Sequence, residues 1–189
     1  MKNKYILFLL AFMLMACQEN YSPKPYGYFR VDLPAHSYSK ITQQNLPYSF
    51  DISSIAKITQ SSDFTQKNWI DIDYQTLNAK IHCSYFVVDN NLQELLEDSY
   101  RYVYKHVTKA DGIIQQVYEN PDARVYGILY DLEGNTASSL QFVLTDSIHH
   151  FFRAALYFDN KPNADSIAPM NEYIRDDMFR LVESFEWKR

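Results

Sequence analysis

The chain has 189 residues, 47% of them hydrophobic and 16% aromatic, with only 4 glycines and a formal net charge of −5. This is enough apolar material for one domain with a sizeable core, and the composition is unlike that of a disordered or low-complexity chain. The acidic balance repels nucleic-acid phosphates and anionic lipid headgroups, which argues against nucleic-acid binding.

Lys2 and Lys4 precede an uncharged apolar run from Tyr5 to Met15, closed by Leu14-Met15-Ala16-Cys17. A positive start, an apolar stretch of about a dozen residues and a small residue at the cut describe a secretory signal. The run falls short of the roughly 20 residues a spanning helix needs. A cysteine directly after the small residue resembles the lipobox of bacterial lipoproteins, with Met15 as an uncommon occupant. Residues 1–16 therefore read as a lipoprotein signal peptide, and Cys17 as the lipidated first residue of the mature protein. Each buried acyl methylene contributes about 0.8 kcal/mol to membrane attachment. Cys83 is then the only other cysteine, so core packing must hold the fold without an intrachain disulfide.

Residues 17–46 read as the lipidated N-terminus followed by an extended Pro/Tyr-rich leader, in which Pro23, Pro25 and Pro34 keep the backbone out of a sheet interior. Tyr26, Tyr28, Phe29, Val31 and Leu33 are too apolar for a plain tether, and Tyr26, Tyr28, Phe29 and Arg30 stand out within the leader. They are candidates for partner contact, since Tyr and Arg are enriched in interfaces, or for docking on the body.

Residues 47–189 read as a single α+β domain. Tyr48, Phe50 and Ile52 alternate with Ser49 and Asp51, and Ile70, Ile72 and Tyr74 with Asp71 and Asp73, the period of a half-buried strand. Ala79, Ile81, Cys83, Tyr85 and Val87 mark a third strand. Asn91 with Glu94 suggests a capped helix start, and Leu92, Leu95, Leu96, Ser99, Val103 and Val107 recur at helical spacing. Four strands follow at about 112–119, 124–131, 136–145 and 149–158, with turn residues at 131–135 and at Asp146-Ser147. The runs 125–130 and 151–158 are apolar on both faces and suit covered central strands. A last helix begins near Ser166, with Pro169 in its first turn and Ile167, Met170, Ile174, Met178, Leu181 and Phe185 as its buried stripe. The expected architecture is an antiparallel β-sheet covered by two main helices.

No catalytic signature stands out. His149 and His150 are adjacent and point to opposite faces of a strand, as do His82 and Cys83, and no two histidines have a shared-ligand spacing. Asp146, Ser147 and His149 are neighbours in sequence, but Ser147 lacks a nucleophile elbow and turn roles account for it. Cys83 on an apolar face reads as core. Asp71 and Asp73 read as a solvated face. There is no glycine-rich phosphate loop, and no metal or other cofactor is expected.

Three stretches carry a family resemblance: 21–34 (YSPKPYGYFRVDLP), 69–86 (WIDIDYQTLNAKIHCSYF) and the block 125–158, together with the lipobox and the closing ESFEW at 183–187. They resemble the GldD family of gliding-motility lipoproteins of Bacteroidota across nearly the whole mature chain. The resemblance implies a cell-envelope lipoprotein required for gliding, anchored by lipid to the inner or outer membrane and facing the periplasm. It also implies partners among the gliding-motility and type IX secretion envelope proteins. It brings no catalytic residues, and only Cys17 carries a defined role. The order of elements is similar to PsbP/Mog1-like domains, largely binding or assembly modules. A non-catalytic assembly or stabilising component is the leading expectation. The alternatives are a small envelope enzyme using His82, Asp146, Ser147 or His149, or a periplasmic ligand-binding module with an aromatic-lined pocket.

Overall fold

The structure, a computed structural model, describes residues 32–43, 45–60, 66–105, 110–159 and 164–188. Eleven strands and two α-helices follow one another along the described residues. Three strands come first and stay outside the main sheet: β1 (Tyr38–Lys40), β2 (Tyr48–Ser49) and β3 (Asp51–Ser53). The main antiparallel sheet comprises β4 (Lys57–Gln60), β5 (Ile70–Tyr74), β6 (Ala79–Val87), β7 (Gly112–Asn120), β8 (Val125–Glu133), β9 (Leu140–Thr145) and β10 (His150–Phe158). Its spatial order is β4-β5-β6-β10-β9-β8-β7. Helix α1 (Leu92–Lys105) connects β6 to β7, helix α2 (Ala164–Glu183) follows β10, and β11 (Glu186–Trp187) ends the chain.

The alternation of apolar residues sets the two faces of this sheet. Ile70, Cys83, Ala154, Phe142 and Leu129 lie opposite one another on successive strands, and so do Tyr85, Phe152 and Leu144. All are buried on the face covered by α2, which contributes Ile174, Met178, Leu181 and Val182, with Phe185 just beyond its end. Gly127 belongs to the same row as Leu144 and Phe152. A Cβ there would stand 2.1 Å from the Val143 carbonyl oxygen, so the approach of β8 to β9 requires glycine. Helix α1 covers part of the opposite face, where Val103 packs with Tyr130 and Leu132.

β10 is central and buried on both faces, as its apolar run suggests, with Phe151 and Phe152 both almost fully enclosed. β8 carries a similar run but lies next to the edge strand β7. The alternating segment 48–52 is extended yet divided at Phe50. Tyr48–Ser49 pairs with Glu186–Trp187, whereas Asp51–Ser53 pairs with Tyr38–Lys40. Residues 38–43 and 45–46 pack on the body, with Ile41 and Leu46 in the core.

The helices differ from the sequence reading at their starts. Asn91 turns its Oδ1 back to the Asp89 N–H (2.9 Å), while its carbonyl accepts the Leu95 N–H (3.0 Å), so the expected side-chain cap with Glu94 is replaced by a backward turn. Only Ser99 and Val103 of the proposed stripe are buried, Leu96 is exposed, and Val107 lies outside the described residues. α2 begins at Ala164, which puts Pro169 beyond the first turn.

Candidate functional site

The Asp146–His150 turn is built around one carboxylate. Asp146 Oδ1 accepts the backbone N–H groups of Ile148 (3.0 Å), His149 (2.8 Å) and His150 (2.8 Å). Ser147 has φ 69, and its N–H donates to Thr145 Oγ1 (2.9 Å). Asp146 therefore organises a reversal. Its Oδ2 lies 3.8 Å from His149 Nδ1, but among the described residues no hydrogen bond joins Ser147 to His149, so the three do not form a nucleophile triad. Burial alone would raise the Asp146 pKa, but the backbone donors outweigh it and hold the carboxyl below its usual range. A carboxyl more acidic in the folded state stabilises the fold above its unfolded-state pKa, and that contribution is lost as pH falls through the folded value. Asp146→Asn is expected to cost about 1–2 kcal/mol at neutral pH. The gap to the parent should close below about pH 4, where the unfolded carboxyl protonates. Melting temperature followed against pH checks this, and a gap constant from pH 7 to 3 would contradict it.

Beside this turn, the Tyr85 hydroxyl lies 2.7 Å from His150 Nδ1. The His150 ring stacks on Trp187 at 5.0 Å, and Trp187 Nε1 donates to the Arg124 carbonyl (3.1 Å). Burial lowers the His150 pKa, with the Asp146 charge opposing it. A neutral imidazole whose Nδ1 accepts a hydrogen bond from the Tyr85 hydroxyl fits this setting. The column ties β6, β10 and β11 together at the rim of a cleft of about 550 Å³.

A second group occupies the sheet face that α1 leaves partly open. Asp71 does not join a solvated face as the alternation suggests: it is 6% exposed, and its Oδ1 lies 2.8 Å from His82 Nδ1. The reason is register. Asp71 is directly opposite His82 across β5 and β6, and His82 is opposite Ala155 on β10. An ionised carboxylate only accepts, so Nδ1 carries the proton and Nε2 is the ring's other reactive atom. Arg153, Trp69, Ser84 and Tyr157 complete the walls of a cleft of about 320 Å³.

A third group joins the chain entering the domain to α2. Asp177 Oδ1 lies 2.8 Å from His36 Nδ1, and Oδ2 accepts the Tyr74 hydroxyl at 3.0 Å. The His36 ring stacks on Tyr173 at 4.1 Å, and the Tyr38 hydroxyl is 3.1 Å from His36 Nδ1. Burial first, then the charge and hydrogen bond of Asp177, raise the Tyr74 pKa far above the usual phenol value.

Cys17, Tyr26, Tyr28, Phe29 and Arg30 lie outside the described residues. Cys83 is buried and its thiol is pushed up by burial, as a core residue. Among the described residues no three His, Cys, Asp or Glu side chains converge as a metal site needs, and no helix is long and apolar enough to cross a membrane. Sequence reasoning missed the Asp71–His82 and His36–Asp177 pairs. The first could have been found by aligning 70–74 against 79–83 as a hairpin. The second had no local signal.

Among solved structures, the chain is similar to the solution structure of cyanobacterial PsbP (CyanoP) from Synechocystis sp. PCC 6803. The TM-score is 0.52 at 10% sequence identity, over 84% of this chain and 97% of that one. At this identity the likeness shows the fold alone, the expected PsbP-like arrangement. No curated protein matches the chain. A family model described as gliding motility lipoprotein GldD matches residues 18–187. With nearly all of the sequence inside that match, the chain belongs to the GldD family of gliding motility lipoproteins.

Proposed function

We propose that the protein is a non-catalytic assembly or stabilising component of the gliding motor and the associated type IX secretion machinery. It is held in the cell envelope by lipid on Cys17, on the inner or outer membrane, and faces the periplasm. The observation that carries this reading is the family match over residues 18–187. The Asp146–His149 turn supports it, because Asp146 Oδ1 is taken by three backbone donors and Oδ2 faces the His149 ring at 3.8 Å, with no nucleophile joined to that ring among the described residues.

Partner contact is assigned to Tyr26, Tyr28, Phe29 and Arg30, a few residues before His36. Photo-crosslinking from positions 26, 28 and 29 in gliding cells is the test. Adducts with other motility or secretion envelope proteins are expected, and crosslinks only within the chain itself would sink the assignment. Cys17→Ala should move the protein out of the membrane fraction, since the remaining attachment lacks the acyl chains. Unchanged fractionation would refute the anchor.

A further inference from the structure

We propose that the cleft over β5, β6 and β10 binds a small hydroxylated organic anion, with an acidic sugar unit as its simplest form. In this site Arg153 takes the anionic group and His82 Nε2 a hydroxyl. The inference does not depend on the assembly role, and either can fail alone.

The sheet register builds the hollow. Cross-strand neighbours stand about 5 Å apart, so side-chain size along a row decides whether the surface rises or dips. On β10, Arg153, Ala155 and Tyr157 face the same side, opposite Ser84, His82 and Lys80 of β6. Ala155 leaves the dip, and Arg153 and Tyr157 rise on either side of it. At about 320 Å³ the cleft has the size of a small-molecule site.

Arg153 is the main reason to infer an anion. Its guanidinium lies over the Tyr102 ring at 4.3 Å, and it has no carboxylate at ion-pair distance among the described residues. Burial lowers its pKa, although the charge remains at any physiological pH. Asp98 of α1, whose charge acts on Arg153, is itself paired with Arg101. A partly desolvated cation without a counter-charge is costly, and an anion seated in the cleft would remove that cost. On a chain of net charge −5 the feature is not a general surface property.

The remaining groups suit a hydroxylated ring. Asp71 fixes the imidazole so that Nε2 is presented away from the buried carboxylate, and the His82 side chain is 50% exposed. Trp69 is held by its Nε1 bond to the Tyr85 carbonyl (2.8 Å) and by its edge contact with Phe86 at 5.3 Å. The Tyr157 ring meets the His82 ring at 5.5 Å. Two fixed aromatic walls around polar donors and acceptors match a compact ring bearing hydroxyls and one charge.

The test is calorimetric titration of the full chain in mild detergent with D-glucuronate, D-glucose and inorganic phosphate, with Trp fluorescence recorded in parallel. Saturable glucuronate binding is expected, at least tenfold tighter than glucose or phosphate. Arg153→Gln should weaken glucuronate at least tenfold, and His82→Asn should weaken it severalfold while both variants keep the parent's circular dichroism. Should Arg153→Gln fail to fold, His82→Asn alone still decides the matter. Equal binding of glucose and glucuronate, binding of phosphate as tight as glucuronate, or no binding at all would overturn the proposal.

Discussion

Phe152→Ala is expected to remove about 3–5 kcal/mol of stability, the range for emptying a fully enclosed aromatic site. Phe152 is 0% exposed, on the central strand of the sheet. Its ring meets Tyr48 edge-on at 4.8 Å, Phe185 at 5.1 Å and Phe142 at 6.1 Å. These contacts couple the main sheet to the β2–β11 ribbon, so the loss should reach beyond one side chain. For a chain of this size the change corresponds to roughly 6–20 °C in melting temperature. Phe152→Leu keeps most of the volume and should cost no more than about 1.5 kcal/mol. Urea denaturation of both variants gives the comparison. Equal losses for Leu and Ala would mean that ring packing is not what this position supplies.

Asp177→Ala should be nearly as severe, at about 2–4 kcal/mol, for a different reason. The carboxylate is 4% exposed and accepts from two groups at once. Without it the Tyr74 hydroxyl is left buried with no acceptor, and His36 loses the contact that fixes its ring. Asp177→Asn preserves volume and one acceptor, and should fall about halfway. A second readout separates local from global effects. Limited proteolysis between Asp32 and Lys40 should accelerate in Asp177→Ala before the body is cut. Resistance equal to the parent's would show that the pair does not hold this segment down.

The hairpins of the sheet were legible because their signals are local. Asp146-Ser147 supplies the reversal between β9 and β10 as expected. The β8–β9 reversal falls at 134–139, past the expected 131–135, because Asp131, Leu132 and Glu133 still pair as part of β8. The α2 stripe was legible too, since every residue from Ile174 to Phe185 in the expected set is buried. What escaped was set by partners far along the chain. The division of 48–53 depends on β11, reached through the bond from Lys188 N–H to the Pro47 carbonyl (2.8 Å). The His36–Asp177 pair spans 141 positions. The short β4 (Lys57–Gln60) has too few apolar residues to show a period. Asp71 was misread because alternation tells which face a residue occupies, not what its neighbour across the ladder will be.

The concealed sulfur of Cys83 offers a practical handle. It is 2% exposed with its acidity suppressed by burial, so an alkylating reagent reaches it only during transient opening of the sheet. The pace of labelling thus works as a clock for breathing motions. Because that clock needs neither purification nor an optical signal, it can be run on whole cells, where the integrity of a lipoprotein is otherwise hard to follow.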